Sequence, residues 1–226
     1  MVTVSPRAEN TVPAEVMADL KQIAPATIGH LLEHEFMDPG LRPIVSRFSF
    51  AGPAITVRVH GMDSAIVHYA IDVAQPGDVI IVDRLGDMRY ACWGGGVSLA
   101  ARVAGVVGAV VDGVLTDRVE IEDLDFPVFG RGISPLTTRS PGLTGELNVP
   151  VRCGGIIVNP GDIVLADDDG VIVLPPQRVP EIVAVCLPRE RAGKERQQRM
   201  REGAKIGEMS GAHQRIDETL RRQAEH

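Results

Sequence analysis

The sequence predicts an α/β fold built around a parallel sheet, and three observations lead to this fold class. Residues 79–83 (VIIVD) form an apolar segment without alternation, which is typical of a strand buried on both faces. Residues 94–104 have helical spacing, and residues 106–112 return to a continuous apolar segment. The order strand, helix, strand then predicts a right-handed crossover between parallel strands.

Composition limits the class of protein. The chain has 226 residues, of which 44% are hydrophobic, so one sizeable domain or two small ones can bury a core. A balance of 23 basic against 30 acidic residues gives a net charge of −7, which argues against a protein that mainly binds phosphate backbones. One Trp, two Tyr and five Phe leave little for stacking on bases. We therefore expect no nucleic acid among the partners.

The cysteines and the start of the chain bear on localisation. The three cysteines, Cys92, Cys153 and Cys186, are odd in number and lack the paired spacing of a zinc site. No basic segment followed by an apolar one opens the chain, and no apolar stretch approaches the roughly 18 residues of a membrane span. We expect a soluble, cytoplasmic protein with no membrane partner.

The first elements are short. Apolar spacings between Pro13 and Glu35 predict two helices broken near Pro25, with Thr27 as the N-cap of the second. Residues 54–60 (AITVRVH) alternate as a half-buried strand does.

A helix is predicted next over residues 63–74, with Asp63 or Ser64 as its cap. The strand at 79–83 then delivers three charged residues to a loop: Asp83, Arg84 and Asp87. After the predicted crossover the chain reaches Asp117, in the kind of loop where ligands bind in open α/β sheets.

The C-terminal half begins with an acidic helix over residues 118–124 and a strand in FPVFGRG. Short strands separated by glycine turns follow over residues 148–174. A Pro-Gly-Asp turn with an apolar strand ending in Asp occurs at 76–83 and again at 160–167, which we interpret as repeated turn chemistry, with an internal duplication as the alternative.

From Val179 the chain is predicted to be helical, and beyond Arg189 it is rich in charge with few apolar residues on any face. We expect a single α/β domain over residues 1–188. Residues 189–226 are expected to form a helical arm that contacts a neighbouring subunit.

Three glycines, Gly94, Gly95 and Gly96, stand at the start of the predicted helix 94–104. The first N–H groups of a helix have no internal acceptors and lie at its positive end, so this start is suited to an anion. The alternative is a tight turn that needs positive φ angles.

Asp117 and Glu120 lie at the start of the acidic helix and allow two interpretations. One is a capping box, in which Asp117 closes the helix start and Glu120 reaches back. The other is a site for a hard cation such as Mg²⁺, which takes carboxylate oxygens and keeps several waters.

Other sites find little support in the sequence. It contains no GxGxxG or GK[ST] phosphate loop and no GxSxG nucleophile motif. The run Asp167-Asp168-Asp169 lacks the spacing of an EF-hand, and His30 and His34 lack the Glu of an HExxH zinc motif.

Several motifs together carry a family likeness. In order and spacing, PGDVIIVD, WGGG, the step from Gly95 to the pair at 116–117, VFGRGISP and VPVRCGGIIVNPGDIVLADDDGVIVLP resemble the RraA-like family. That family includes the class II 4-hydroxy-4-methyl-2-oxoglutarate/4-carboxy-4-hydroxy-2-oxoadipate aldolases and the protein regulators of ribonuclease E. The likeness covers roughly residues 15–210.

The resemblance implies a fold and an assembly. The fold is an α-β-β-α sandwich similar to the swivelling phosphohistidine domain, here with a C-terminal helical arm. The assembly is a homotrimer or a hexamer with sites between subunits. Mg²⁺ or Mn²⁺ would be bound by Asp117, with Glu120 nearby and an acidic residue from the neighbour's arm, Glu195 as first choice and Glu190 as second.

The substrate implied by the resemblance is pyruvate or its enolate. It would be held at the glycine start of the helix, by the following residues: Gly94, Gly95, Gly96 and Val97. The departure is Thr116, which stands where the aldolase motif has an arginine. Threonine carries no charge, whereas an arginine fork pairs with a carboxylate. Arg118, or Arg139 close to where relatives keep a lysine, could supply that charge.

The function expected from this likeness is a divalent-metal-dependent carbon–carbon lyase acting on short 2-oxo (di)carboxylic acids. Retro-aldol cleavage, oxaloacetate decarboxylation or both would give pyruvate. Asp117, Glu120 or Asp87 would orient the water that takes the proton of the 4-hydroxyl group. The alternatives are a non-catalytic regulator of ribonuclease E and a related enzyme whose substrate differs because of Thr116.

Overall fold

A mixed sheet of nine strands forms the centre of the structure, a computed structural model that describes residues 1–224. Residues 225 and 226, the last two of the expected arm, lie outside the described residues. The strands are β1 (Val2–Val4), β2 (Arg42–Pro43), β3 (Ser49–Arg58), β4 (Val79–Asp83), β5 (Gly108–Asp112), β6 (Val114–Leu115), β7 (Val128–Gly130), β8 (Gly132–Ile133), β9 (Gly145–Leu147), β10 (Val151–Cys153), β11 (Ile156–Val158), β12 (Ile163–Asp167) and β13 (Gly170–Leu174).

Helices occur in three groups along the chain: between β1 and β2, between the parallel strands of the sheet, and at the C-terminus. They are α1 (Ala14–Leu20), α2 (Pro25–Ile28), α3 (Ala65–Asp72), α4 (Gly95–Val103), α5 (Arg118–Asp123), α6 (Val179–Arg201), α7 (Ile206–Met209) and α8 (Ala212–Ala224). A mixed α/β fold with a central sheet and a C-terminal helix is thereby confirmed. The likeness to the swivelling phosphohistidine domain stays an expectation.

The strand order along the sheet is β1-β9-β3-β4-β5-β7-β2, and β3, β4, β5 and β7 run parallel to their neighbours in this series. The predicted parallel crossover from β4 through α4 to β5 is confirmed. Strand β3 begins at Ser49 rather than at Ala54, because residues 49–53 pair antiparallel with β12.

The central strands bury both faces, as their lack of alternation predicts. In β4, Ile80 and Val82 join the apolar cluster beneath α3 and α4, while Val79 and Ile81 join the cluster on the opposite face with β12 and β13. All four side chains are fully buried. A third cluster lies between β12–β13 and the helices α1, α2 and α6. Helices α3–α5 and helices α1, α2 and α6 therefore belong to opposite sides of the molecule.

The predicted cap of the second helix is wrong. Helix α2 begins at Pro25 with Ala24 as N-cap, because proline at the first helical position is preset for the helix. Thr27 lies inside this helix, and its hydroxyl donates to Glu190 Oε2 at 2.5 Å. The same carboxylate oxygen accepts from the Ala24 amide at 3.3 Å. A residue of α6 therefore caps α2.

Helix α6 runs without interruption through Pro188, so the boundary placed after residue 188 falls within it. Its first half is buried against α1 and α2, whereas α7 and α8 contain no buried residue. Contact of this arm with a neighbouring subunit stays a prediction. Among the helices within residues 1–224, none has the length and apolar character needed to span a membrane.

Candidate active site

The starts of α4 and α5 meet at the edge of the sheet where the parallel strands end. Helix α4 follows β4 and its loop, and α5 follows β5 and the short strand β6. A hydrogen bond of 3.0 Å from the Thr116 amide to the Trp93 carbonyl joins the two segments. Ligands bind at this edge in open α/β sheets, so the fold brings the two halves of the predicted site together.

Trp93 fixes the start of α4 from within the core. Its side chain is 1% exposed, its ring stacks on Phe126 with 6.2 Å between centroids, and its Nε1 donates to the Ser98 hydroxyl at 2.9 Å. The glycines that follow are thereby held against the segment that carries Thr116. These contacts cannot be predicted from the sequence, because Ser98 occupies an ordinary helical position.

Gly94 and Gly95 are required because neighbouring side chains approach their Cα atoms closely, and not because of their backbone conformation. The φ angle of Gly94 is −151°, and none of the three glycines has a positive φ, so the alternative of a positive-φ turn is wrong. A Cβ atom on Gly94 would overlap the Asp117 carboxylate, and one on Gly95 would overlap Glu120. A Cβ atom on Gly96 would meet nothing within 4 Å. The first two glycines therefore make room for two carboxylates.

Asp117 precedes α5 in the left-handed conformation, with a φ of +52°. Its side chain makes no capping hydrogen bond, so the capping-box interpretation is wrong. Instead Oδ2 accepts from the Gly95 amide and Oδ1 accepts from the Thr116 hydroxyl, each at 3.2 Å. Asp is among the few residues that tolerate this conformation, and such positions are concentrated at functional sites.

Glu120 completes a pair of exposed carboxylates. It lies in the first turn of α5 against Gly95, and within residues 1–224 its carboxylate has no hydrogen bond or ion pair. Asp117 has no cationic partner in that part of the chain either. Two negative groups without a compensating cation make this a place where a positively charged group is favoured.

Donors for an anion lie beside these carboxylates. The Gly95 amide is used by Asp117, and the first bond within the turn of α4 is from Ser98 N to Gly94 O at 2.9 Å. The amides of Gly96 and Val97 therefore have no acceptor in the described chain. Both residues border a groove of about 350 Å³, together with His68, Ile71, Asp72 and Ala100.

The two arginines considered for the missing charge differ in their contacts. Arg118 Nε donates to Glu122 Oε1 at 2.7 Å, so this guanidinium is paired along α5. Arg139 has an exposed side chain with no hydrogen bond or ion pair within residues 1–224. Its main chain is nevertheless fixed, because its amide donates to the Met62 carbonyl at 2.7 Å and its carbonyl accepts from the Ser64 amide at 2.8 Å.

Asp87 anchors the loop between β4 and α4. Its Oδ1 accepts from the amides of Arg89 and Tyr90 at 2.7 and 2.9 Å, and its Oδ2 lies 3.3 Å from Arg84 Nη2. Burial alone would raise the pKa of Asp87, but the Tyr90 and Arg89 amides and the charge of Arg84 hold this pKa below its ordinary value. Arg84 itself is 1% exposed, which the sequence did not predict for a charged loop residue.

Replacing Asp87 by asparagine is expected to destabilise the fold by about 1 kcal/mol near neutral pH, because charge-assisted hydrogen bonds to the loop are lost. The folded-state pKa is lowered, so this stability is present above the unfolded value of about 4 and is lost as pH falls through the folded value. Urea unfolding of both proteins at about pH 7 and about pH 3 measures the change. An equal difference at both pH values would contradict the role of the charge.

A hard divalent ion fits the side chains at this site. No group of three His, Cys, Asp or Glu side chains within residues 1–224 is arranged to hold a metal. Asp117 and Glu120, however, offer two carboxylates in the space left by Gly94 and Gly95. Mg²⁺ is typically held in proteins by one or two carboxylates and keeps several waters.

The acids expected from the arm of a neighbour lie on α6. Glu195 is exposed and makes no hydrogen bond or ion pair in the described residues. Glu190 is committed to capping α2 of its own chain. Glu195 is the better candidate for a second copy's site, because Glu190 is already bonded to Ala24 and Thr27.

The chain matches a family model and several curated relatives. The family model described as RraA-like (Aldolase/RraA) matches residues 21–173. A protein of Halalkalibacterium halodurans named "Putative 4-hydroxy-4-methyl-2-oxoglutarate aldolase" is 39% identical over 135 residues, which are 60% of this chain and 64% of that relative. An Arabidopsis thaliana protein, "Putative 4-hydroxy-4-methyl-2-oxoglutarate aldolase 3", is 36% identical over 56% of this chain and 75% of its own length.

Two solved structures resemble the fold. The RNA-processing inhibitor RraA from Thermus thermophilis has a TM-score of 0.61 and 30% identity, over 66% of this chain and 91% of its own. RraAS2 of Streptomyces coelicolor, described as an unusual member of the RNase ES inhibitor RraA protein family, has a TM-score of 0.71 and 25% identity, over 85% of this chain and 98% of its own. The relatives thus include proteins named as enzymes and proteins described as inhibitors.

Proposed function

Because the chain belongs to the RraA-like family, we propose that it is a divalent-metal-dependent carbon–carbon lyase acting on short 2-oxo (di)carboxylic acids. It would release pyruvate by retro-aldol cleavage, by oxaloacetate decarboxylation, or by both. The observation that carries this proposal is the pair Asp117 and Glu120, two exposed carboxylates gathered over the glycine start of α4 beside free amides. The names of curated relatives support the aldolase reaction.

The chain supplies amides for the substrate and carboxylates for the divalent ion. The free amides of Gly96 and Val97, at the positive end of α4, would bind the substrate carboxylate. Asp117 and Glu120, with Glu195 of a second copy, would hold Mg²⁺ or Mn²⁺. When bound, such an ion supplies a Lewis acid for the charge that develops on a pyruvate enolate.

Glu120 is the group that we assign to proton transfer. Asp117 already accepts two hydrogen bonds, and both oxygens of Asp87 are engaged by its own loop. Glu120 accepts none within residues 1–224 and is exposed to water. One of its oxygens would take part in holding the ion, and the other would accept the proton of the 4-hydroxyl group through an oriented water.

Arg139 is the residue that we assign to the charge that Thr116 cannot supply. Arg118 is already paired with Glu122, whereas the Arg139 guanidinium is exposed and without a partner in the described chain. A fixed main chain with a free cationic head is suited to pairing with a substrate carboxylate.

Arg139→Ala is therefore expected to raise the KM for oxaloacetate about tenfold, because a charged contact to the substrate is lost. Arg118→Ala is the matched control, since it removes an exposed ion pair, and is expected to change KM by about twofold at most. Steady-state pyruvate release measures both variants. A larger effect from Arg118 would reverse the assignment.

The direct test of the function supplies oxaloacetate and 4-hydroxy-4-methyl-2-oxoglutarate in separate assays with Mg²⁺ or Mn²⁺ and follows pyruvate. We expect release above that of a protein-free control with the same metal, and we expect EDTA to abolish this excess and added metal to restore it. The same preparations, analysed by light scattering, would test the proposed homotrimer or hexamer. Absence of EDTA-sensitive pyruvate from both substrates would exclude the lyase.

A second candidate function is a non-catalytic regulator of ribonuclease E. Thr116 favours it, because the aldolase arginine is missing at that position, and the proteins in the two similar structures are described as inhibitors or members of an inhibitor family. Titrating this protein into a ribonuclease E activity assay separates the two candidates. Inhibition by Asp117→Asn as strong as that by the wild type would show that regulation does not use the carboxylate pair.

A further inference from the structure

Asp63 is a buried carboxylate, 6% exposed, with four amide donors. Its Oδ1 accepts from Ala65 and Gly142 at 3.2 Å each, and its Oδ2 accepts from Leu143 at 2.6 Å and from Thr144 at 2.9 Å. Burial alone would raise the pKa of Asp63, but these amides hold it below its ordinary value. Three of the four donors belong to a segment far along the chain.

That segment is the connection from β8 to β9, residues 134–144, which we call the Arg139 strap. The Arg139 amide donates to the Met62 carbonyl, and the Arg139 carbonyl accepts from the Ser64 amide. The neighbouring Thr138 donates from its hydroxyl to the Ser64 hydroxyl at 2.7 Å and from its amide to the Ala91 carbonyl at 3.0 Å.

Hydrogen bonds join the strap to the loop that leads into the candidate site. Thr138 of the strap is bonded to Ala91, which lies two residues before Trp93, and the Trp93 carbonyl accepts from the Thr116 amide. The strap is thus held between the loop that starts α3 and the loop that leads into α4. Within it, the Arg139 side chain is left exposed and unpaired in the described residues. The fixed main chain therefore limits the region that the exposed Arg139 guanidinium can reach.

We infer that Asp63 is a positioning residue, which clamps the Arg139 strap so that the Arg139 guanidinium faces the carboxylate of the 2-oxo acid. The inference rests on the proposed function. An unclamped strap would leave the arginine present but poorly placed, whereas the bonds of Asp117 to Gly95 and Thr116 do not involve the strap. Asp63 would act only through Arg139, which makes the role separable from a general effect on folding.

The test is a double-mutant cycle of Asp63→Asn and Arg139→Gln. Asparagine keeps one acceptor oxygen but replaces the other with a donor, so the clamp opens without a change in volume. We expect Asp63→Asn to lower kcat/KM for oxaloacetate about tenfold when Arg139 is present, and by about twofold at most when it is absent. Equal losses in both backgrounds would show a purely structural role and overturn the inference.

Thr138→Val is the milder variant, in case Asp63→Asn does not fold, and the same cycle and the same criterion apply to it. It removes the hydroxyl bonds to Ser64 and Ala91 while the amide bond of residue 138 stays. Hydrogen exchange checks the clamp directly, because Asp63→Asn should remove protection from the amides of Gly142, Leu143 and Thr144. Unchanged protection would overturn the inference.

Binding of oxalate, a stable dianion similar in charge and shape to the pyruvate enolate, separates this inference from the proposed function. Wild-type protein that releases no pyruvate overturns the function, and one that also fails to bind oxalate in the presence of Mg²⁺ overturns the inference with it. Wild-type protein that binds oxalate, but whose Asp63 and Arg139 variants weaken this binding independently of each other, overturns the inference alone.

Discussion

Asn in place of Asp117 is expected to lower pyruvate release roughly 100-fold or more, because the carboxylate that would hold the divalent ion loses its charge. Asparagine has the same size and tolerates the left-handed conformation found at this position, so the turn into α5 should persist. Its amide oxygen can also still accept from the Gly95 amide or the Thr116 hydroxyl. The change is therefore one of charge more than of structure.

Asp123→Asn is the matched control for this variant. Asp123 is an exposed carboxylate on the same helix and has no hydrogen bond or ion pair in the described chain. Its replacement is expected to change kcat by about twofold at most. Steady-state kinetics across a range of Mg²⁺ concentrations compares the two. Retention of about a third or more of the activity by Asp117→Asn, with an unchanged metal requirement, would contradict the proposed metal site.

Gly95→Ala is expected to have an effect of similar size through geometry alone. An added Cβ would overlap both the carboxylate and the Cβ of Glu120, and the first turn of α5 would have to shift. A displacement of about 1 Å at a reacting group costs roughly 100-fold in rate. We therefore expect kcat/KM to fall about 100-fold, although no charged or polar side chain is changed.

Gly96→Ala serves as the steric control in the same helical turn. Its Cβ would meet nothing within 4 Å, so its effect on kcat/KM is expected to be at least about tenfold smaller. Alanine at this position should also favour the helix, by up to about 1 kcal/mol. Urea unfolding and pyruvate release are measured on both variants. Equal losses of activity would show that the close approach of Glu120 to Gly95 is not what matters.

The fold was predictable where the pattern of apolar residues along the chain indicates burial. Strand β4 is a continuous apolar segment, and the structure buries both its faces. A similar apolar segment predicts β5, and helical spacing predicts α4. The strands β1 and β9 were not predicted, because each has only three residues, which is too few for a clear pattern.

The site was predictable in its parts but not in its contacts. Local spacing predicts Asp117 as a helix cap or a metal ligand, whereas in the structure its carboxylate bonds to Gly95, which is distant in sequence. The same kind of spacing predicts Asp63 or Ser64 as a cap, but it does not reveal that three of the donors to Asp63 come from residues 142–144. Such long-range partners depend on how loops meet at the sheet edge, which no spacing rule describes.

The capping of α2 by Glu190 limits how far the arm can be shortened. A chain cut at the expected boundary after residue 188 would leave the Ala24 amide and the Thr27 hydroxyl without the carboxylate that they share. One cut after Gln198 would keep that carboxylate and also Glu195, the acid proposed to reach a second copy, and would still discard residues 199–226. Truncation to a minimal active domain should therefore retain α6 through at least Glu195.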